Sequence, residues 1–487
     1  MQSLDTHTAG GQTGHSGSKA AHAAPLPEDF LLTTPFSRRL FHEHARDLPV
    51  IDYHNHLDTR ALRENRPFAN LARLWVTSDP YKHRVMRIAG VPEAEITGSA
   101  PDRLKFDRWA ATVPLTLGNP LCPWTRLELA RFFDLHDPLN PATADGIWNA
   151  ANARLARDTH APRAFLERAR VEIACTSDPL LADLSDHVAL AAGPARPPRI
   201  LPSVRPDDLL AFDSPDYPEW LKKLSAATNV AIRDYDTLWA ALTARLDVFG
   251  AAGCRLADHA LDAFSYSETG DKTAAALFAL LLGGKTLDPI GLVRLRSALL
   301  RRLGSDYARR NWTLQLHLGA QRRTSSRLRR LAGPAGGYAC PGSPTDIASL
   351  CGLLDGIETA AGRLPRTILF PLNPADYDAL AVITGSYSAD GVAGLVQLGP
   401  AWWFNDHDHG IRRHLDALSR HGLLATWIGM TTDSRSLLSM VRHEYFRRVL
   451  CEWLGGQAAA GHMPDRVEEI APLIRAICHD NAAALFS

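Results

Sequence analysis

The sequence has no excess charge of either sign. Lysine plus arginine and aspartate plus glutamate each number 53 in 487 residues. A dedicated nucleic-acid binder would carry a basic surplus, so that class is excluded. No uninterrupted apolar run approaches membrane-spanning length, and Ala274 to Leu282 falls far short. Paired cysteines are missing too. The seven cysteines (122, 175, 254, 340, 351, 451 and 478) are scattered, odd in number and never spaced as CxxC. That excludes a disulfide scaffold or zinc ribbon and predicts reduced thiols in a cytoplasmic protein. Residues 1–26 lack both apolar periodicity and the apolar core of a signal peptide. They read as a disordered tail, with His7, His15 and His22 solvated rather than ligating.

What is present is a large potential core, since 46% of the residues are hydrophobic. One big domain, or two to three ordinary ones, fits that length. The chain is organised around Val50-Ile51-Asp52-Tyr53-His54-Asn55-His56. A short apolar run predicts a buried strand, and alternation along it points His54 and His56 the same way, near its carboxyl end. Such a pair suits a divalent metal, but spacing alone fits two solvent-facing histidines equally well. The pattern of a short apolar run ending in chemically capable residues then recurs. It appears at Val171–Asp178, Arg199–Asp207, Cys254–His259, Thr313–Gly319, Thr367–Asn373, Val396–Gly399 and Thr426–Asp433, with helical patterns between. Eight strands alternating with helices predict an α/β fold, a TIM-like (β/α)8 barrel over residues 27–487. Its largest insertion, about residues 59–170, reads as helical, and a second helical block covers Ala263 to Arg310.

In such a barrel active residues belong at the carboxyl ends of the strands, and strands one and eight are neighbours. His54, His56 and Asp433 can then converge on one ion and leave open positions, as a catalytic metal requires. H-x-H on strand one with Asp on strand eight resembles the amidohydrolase superfamily. Within it, the stretches Ser78-Asp79-Pro80-Tyr81-Lys82-His83-Arg84, Trp402-Trp403-Phe404-Asn405-Asp406, Thr432-Asp433-Ser434-Arg435-Ser436 and Arg442-His443-Glu444-Tyr445-Phe446 resemble the uronate isomerase family. So do Ala110–Pro114 with Gly118–Pro120, Ser203–Pro206 and Asp258–Asp262, so that the match covers nearly all of the chain beyond about residue 27.

The resemblance implies an intramolecular oxidoreductase. It would interconvert D-glucuronate with D-fructuronate, and D-galacturonate with D-tagaturonate, through an enediol. One divalent metal, zinc by expectation, would be held by His54, His56 and Asp433. Asp433 would also take the C2 proton, and Tyr81 would move a proton between the C1 and C2 oxygens. Arg205, Arg435, Trp403 and His443 would bind substrate. The uronate carboxylate calls for an arginine clamp; Arg205 and Arg435 are favoured for it, with Arg442 and Lys82 behind them. His317 ends strand five, but strand six offers no histidine, so a binuclear centre is not expected and His317 reads as pocket-lining or as a satisfied structural group. Asp406-His407-Asp408-His409 reads as a solvated loop with helix-capping acids. The alternative function is a metal-dependent hydrolase of the same superfamily. Hexuronates are the expected partners, with no nucleic acid and no membrane, and a homo-oligomer is compatible with the sequence.

Overall fold

The computed structural model describes residues 26–193, 197–262 and 264–487, so the predicted N-terminal tail lies outside the described residues but for Leu26. Two helical elements, Pro35–Arg39 and Leu40–Ala45, lead into the first strand. Seven strands then build one all-parallel sheet. They are β1 (Val50–Asn55), β2 (Val171–Pro179), β3 (Arg199–Arg205), β4 (Leu256–Leu261), β5 (Thr313–Leu318), β8 (Thr367–Pro371) and β9 (Val396–Leu398), hydrogen-bonded in that order. Two short antiparallel strands, β6 (Ala320–Gln321) and β7 (Cys340–Pro341), form a separate ribbon. Every residue of β1, β5 and β8 is buried. Such strands have both faces covered, which is why their sequences are apolar runs rather than alternating ones.

The eighth predicted strand, Thr426–Asp433, is not a ladder strand. The chain nevertheless occupies the gap between β9 and β1. On one flank Trp427 Nε1 donates to the Leu398 carbonyl at 2.8 Å and Ile428 N to Gln397 Oε1 at 2.7 Å. On the other, Tyr53 OH donates to the Gly429 carbonyl at 2.9 Å, His54 N to Thr431 Oγ1 at 2.9 Å and Asp433 N to the His54 carbonyl at 3.0 Å. Gly429 (φ +80°) and Asp433 (φ +49°) have left-handed backbones that cannot continue a ladder. At Gly429 no other residue fits, because a Cβ would stand 2.0 Å from the Ile477 carbonyl oxygen. Side-chain bonds, together with two backbone bonds at the end of the segment (Asp433 N to the His54 carbonyl and His56 N to the Ser434 carbonyl at 2.8 Å), therefore close this seam in place of a regular ladder.

Between β1 and β2 the chain is helical, from Thr59–Glu64 to Pro162–Arg168. In this stretch Asp79 caps the helix Pro80–Ile88, accepting from Tyr81 N at 2.9 Å and Lys82 N at 3.3 Å, with Pro80 at the first turn. That cap sets Tyr81 at the mouth of the sheet. The second helical block becomes Asp271–Leu282 and Pro289–Arg310. Among the described residues no helix is long and apolar enough to cross a membrane. All seven cysteines are free thiols.

Candidate active site

Asp52 is where the site begins. It lies on β1 two residues before His54, is fully buried, and its carboxylate gathers the closing segment. It accepts from Thr432 N at 2.7 Å, Thr432 Oγ1 at 2.8 Å, Thr431 Oγ1 at 2.9 Å and Asn55 Nδ2 at 3.0 Å. Burial alone would raise its pKa, but His443, 3.3 Å away, and the Thr432 hydrogen bonds hold it below the usual carboxylate value. The next residue after the pinned pair is Asp433.

Asp433 Oδ1 sits 3.2 Å from His56 Nε2 and 3.4 Å from His54 Nε2. The three side chains offer donor atoms within 4.8 Å of one another. Burial works to raise the Asp433 pKa, but the adjacent His54 and His56 imidazoles carry it well below the ordinary value. The left-handed backbone of Asp433 is a costly conformation for a non-glycine residue, of a kind that clusters at functional sites. His54 is 1% exposed, and neither of its ring nitrogens has a hydrogen-bond partner of good geometry. A buried imidazole with both nitrogens unsatisfied, beside a second imidazole and a carboxylate, fits a divalent cation.

A second grouping, His54 with Asp258 and His317, shares His54. His317 is buried, its ring centroid is 4.5 Å from that of His54, and both its nitrogens lack partners. It is thus pocket-lining but not a satisfied structural group, and burial depresses its pKa far below the ordinary histidine value. Asp258 is already engaged, with Arg205 Nη1 3.2 Å from its Oδ2 and the Ser177 hydroxyl 3.1 Å from both oxygens. A guanidinium standing there opposes a second cation.

His54, His56, Asp433, His317 and Arg205 face a cavity of about 250 Å³, lined also by Tyr81, Arg322, Trp402, Trp403 and Arg435. Its outer wall is the Pro334–Ala339 stretch, where Gly337 (φ +78°) approaches so closely that a Cβ would stand 2.2 Å from the Pro80 carbonyl oxygen. Trp403 also has a left-handed backbone, φ +51°. The Tyr81 hydroxyl accepts from Arg442 Nη1 at 3.2 Å, leaving its own proton to be donated; burial raises its pKa, so it is a neutral phenol.

The arginines divide by what they already hold. Arg205 Nε donates to Asp207 Oδ2 at 2.7 Å. Burial would raise the Asp207 carboxyl, but Arg205 and then His259 pull it to about 2. Arg435 is exposed, and among the described residues it makes no hydrogen bond or ion pair. Arg442 is buried, donating to Asp406 Oδ2 at 2.7 Å and to the Thr432 carbonyl. Lys82 is 1% exposed and held between Asp79 and Glu128. These two weaker clamp candidates are consumed in structure. His443 stands behind Asp52 and does not line this cavity.

The Asp406–His409 run is only partly the expected solvated loop. Asp406 is buried against Arg442, and His407, not an acid, caps the helix Asp408–His421 by accepting from Gly410 N at 3.1 Å. Sequence reasoning gave no role to Asp52, Asp258 or Arg322. For Asp52 a signal existed: it shares the two-residue period of His54 and His56 inside an otherwise apolar strand.

A family model described as glucuronate isomerase matches residues 23–486. The uronate isomerase of Serratia proteamaculans is 42% identical over 463 residues, 95% of this chain and 98% of that protein. The crystal structure of uronate isomerase from Thermotoga maritima superposes with a TM-score of 0.88 at 31% identity, covering 95% of this chain and 99% of that one. The glucuronate isomerase structure from Caulobacter crescentus, 24% identical over 95% of this chain and 97% of that one, shares the fold with a TM-score of 0.87. The site is therefore that of an isomerase rather than a hydrolase, and the chain belongs to the glucuronate isomerase family.

Proposed function

We propose that this protein interconverts open-chain aldohexuronates and ketohexuronates, D-glucuronate with D-fructuronate and D-galacturonate with D-tagaturonate, by proton transfer through an enediol. The observation that carries this reading is convergence: His54, His56, Asp433, Tyr81 and Arg435 meet at one cavity, and each supplies a different need of the reaction. His54, His56 and Asp433 would hold one divalent ion, zinc by its nitrogen–oxygen donor set, which when bound supplies positive charge for the developing enediolate. Asp433 is ionised and takes the proton from C2. It returns that proton to C1. Tyr81, a neutral phenol steadied by Arg442, carries a proton between the two oxygens. Arg435 has no competing partner and pairs with the C6 carboxylate, with Arg205 deeper in the same cavity. Trp403 walls the sugar against water. His443 serves substrate binding indirectly, by steadying Asp52. The reaction is an intramolecular redox exchange needing no second substrate, and it suits a cytoplasmic enzyme of carbohydrate metabolism.

The test is product formed from D-glucuronate in heavy water, read by proton spectroscopy. The base holds the migrating proton between steps, so ketose should gain solvent deuterium at C1 in a fraction set by exchange against return. Ketose free of C1 deuterium at several pH values would point to a hydride shift and sink the mechanism. The ion is tested separately by elemental analysis. Wild type should carry close to one equivalent, and the His54→Ala/His56→Ala variant should lose it.

A further inference from the structure

A second cavity stands apart from the active site. It lies at the opposite end of the sheet, where Leu48 and Val50 lead into β1 and Arg170 precedes β2, and has a volume of about 550 Å³. Six arginines line it: Arg46, Arg131, Arg168, Arg170, Arg447 and Arg448. Only three carboxylates join them, those of Glu28, Asp47 and Glu444. That leaves an excess of three positive charges in one concavity of a chain whose overall formal charge is zero. A cleft lined by one sign of charge focuses the field and concentrates counter-ions.

The charges are arranged in two tiers. Arg46, Arg131, Arg168 and Arg170 are exposed and form the rim. Arg447 and Arg448 are buried and form the floor. Arg448 is paired with Glu444 at 2.9 Å. Arg447 is not paired: its guanidinium donates to the carbonyls of Leu48 at 2.7 Å, Pro49 at 2.6 Å and Cys478 at 3.4 Å, and among the described residues no carboxylate lies within ion-pair distance. Burial pushes its pKa down, the sign of a cation without full compensation. A buried guanidinium with only dipoles for partners is a costly arrangement that an anion would relieve. His443 also lines the floor and adds a ring beside Asp52. Arg170 is held at the rim by Asp47, its Nη1 donating to Asp47 Oδ1 at 2.7 Å and to the Asp47 carbonyl at 2.9 Å.

We propose that this cavity binds a small anion bearing two or more negative charges, carboxylate or phosphate in kind, at a site separate from the one that isomerises uronates. The volume admits a ligand of metabolite size. A single carboxylate would leave most of the excess charge unanswered, which favours a multivalent anion. Guanidinium rims suit planar, forked oxyanions better than lysines would.

The probe is benzene-1,3,5-tricarboxylate, titrated calorimetrically into the metal-loaded full-length protein. One equivalent should bind, more weakly as salt rises. The rim variant Arg46→Ser/Arg168→Ser/Arg170→Ser should bind at least tenfold more weakly. Glu28→Gln/Asp47→Asn removes two exposed negative charges and should bind several-fold more tightly, a direction that damage to the fold would not produce. Arg435→Met should bind like wild type, and saturating D-glucuronate should not displace the probe. Absence of binding to wild type overturns the proposal. So does loss of binding in Arg435→Met or displacement by D-glucuronate, since the anion would then occupy the active-site cavity. Parallel titrations with sulfate and with monovalent benzoate distinguish charge from shape: benzoate binding as tightly as the tricarboxylate would refute the multivalent reading.

Discussion

At the scale of single residues, the site separates groups that do chemistry from groups that hold them. Arg435 and Arg205 line the same cavity, yet they should respond differently to the same substitution. Arg435 makes no bond among the described residues, so on the proposed function Arg435→Met would remove a substrate contact and little else. Its KM for D-glucuronate should rise by an amount equivalent to roughly 1.5–3 kcal/mol, the range for hydrogen bonds to charged groups, with the melting temperature unchanged. Arg205→Met should also lower stability, because it strands the carboxylates of Asp207 and Asp258 in a buried setting. Steady-state kinetics and thermal melts on both variants check this. If Arg435→Met leaves KM untouched, the carboxylate binds elsewhere, and Arg322, which lies over the Trp403 ring at 5.7 Å, becomes the candidate. Asp433→Asn should abolish nearly all turnover while the protein stays folded, since an amide cannot accept the C2 proton; Tyr81→Phe should slow turnover less, because water can move the oxygen proton.

At the scale of elements, the closing segment explains both what the sequence disclosed and what it hid. The runs that became β1, β2, β3, β5, β8 and β9 were readable because a doubly buried strand must be apolar, and β4 was found with its boundary about two residues early. Thr426–Asp433 carries the same apolar signature, since it is equally buried, but it is not a ladder strand. What decides that is the left-handed backbone at 429 and 433 together with a carboxylate on another element, and neither shows in a local pattern. The grouping of His54, His56 and Asp433 was readable because these residues lie at predicted strand ends. The burial of Asp406 and Arg442 was not, because the pair forms across 36 residues. Asp52 is the pin of the seam, so Asp52→Asn tests the element rather than the residue. The amide keeps one acceptor oxygen but turns a donor toward Thr431 or Thr432, and breaking so buried a network should cost on the order of 3 kcal/mol. The urea midpoint should fall, and kcat should fall with it because Asp433 follows the freed pair directly. Wild-type kcat in a destabilised Asp52→Asn would separate the seam from catalysis.

At the scale of the whole molecule, stability against acid depends on buried groups that never touch substrate. His414 is 1% exposed and donates from Nε2 to the Gly399 carbonyl at 2.7 Å, packed beneath Trp427. Burial pulls its pKa from 6.5 to about 4. The unfolded chain therefore binds this proton more readily than the native one. The stability this gives is fully present above pH 6.5 and is lost as pH falls toward 4, by about 3 kcal/mol in all. His187 is lowered in the same way, to about 4, but it lies 3.5 Å from Asp178, whose carboxyl burial raises to about 7. A raised carboxyl contributes with the opposite sign, its stability being lost as pH rises through that value, so the two neighbours oppose each other and a mutation at either is hard to read. Among the described residues His414 has no such partner, and it is the cleaner probe. His414→Gln keeps an amide donor toward Gly399 but cannot titrate. Relative to wild type, the variant should lose less stability between pH 7 and 5 in urea unfolding of the metal-loaded protein. Any loss of metal ligation in acid would be common to both proteins and would cancel in that difference. Parallel stability curves for the two over this range would show that His414 charges in the native state as easily as in the unfolded chain, and that its burial has no titration cost.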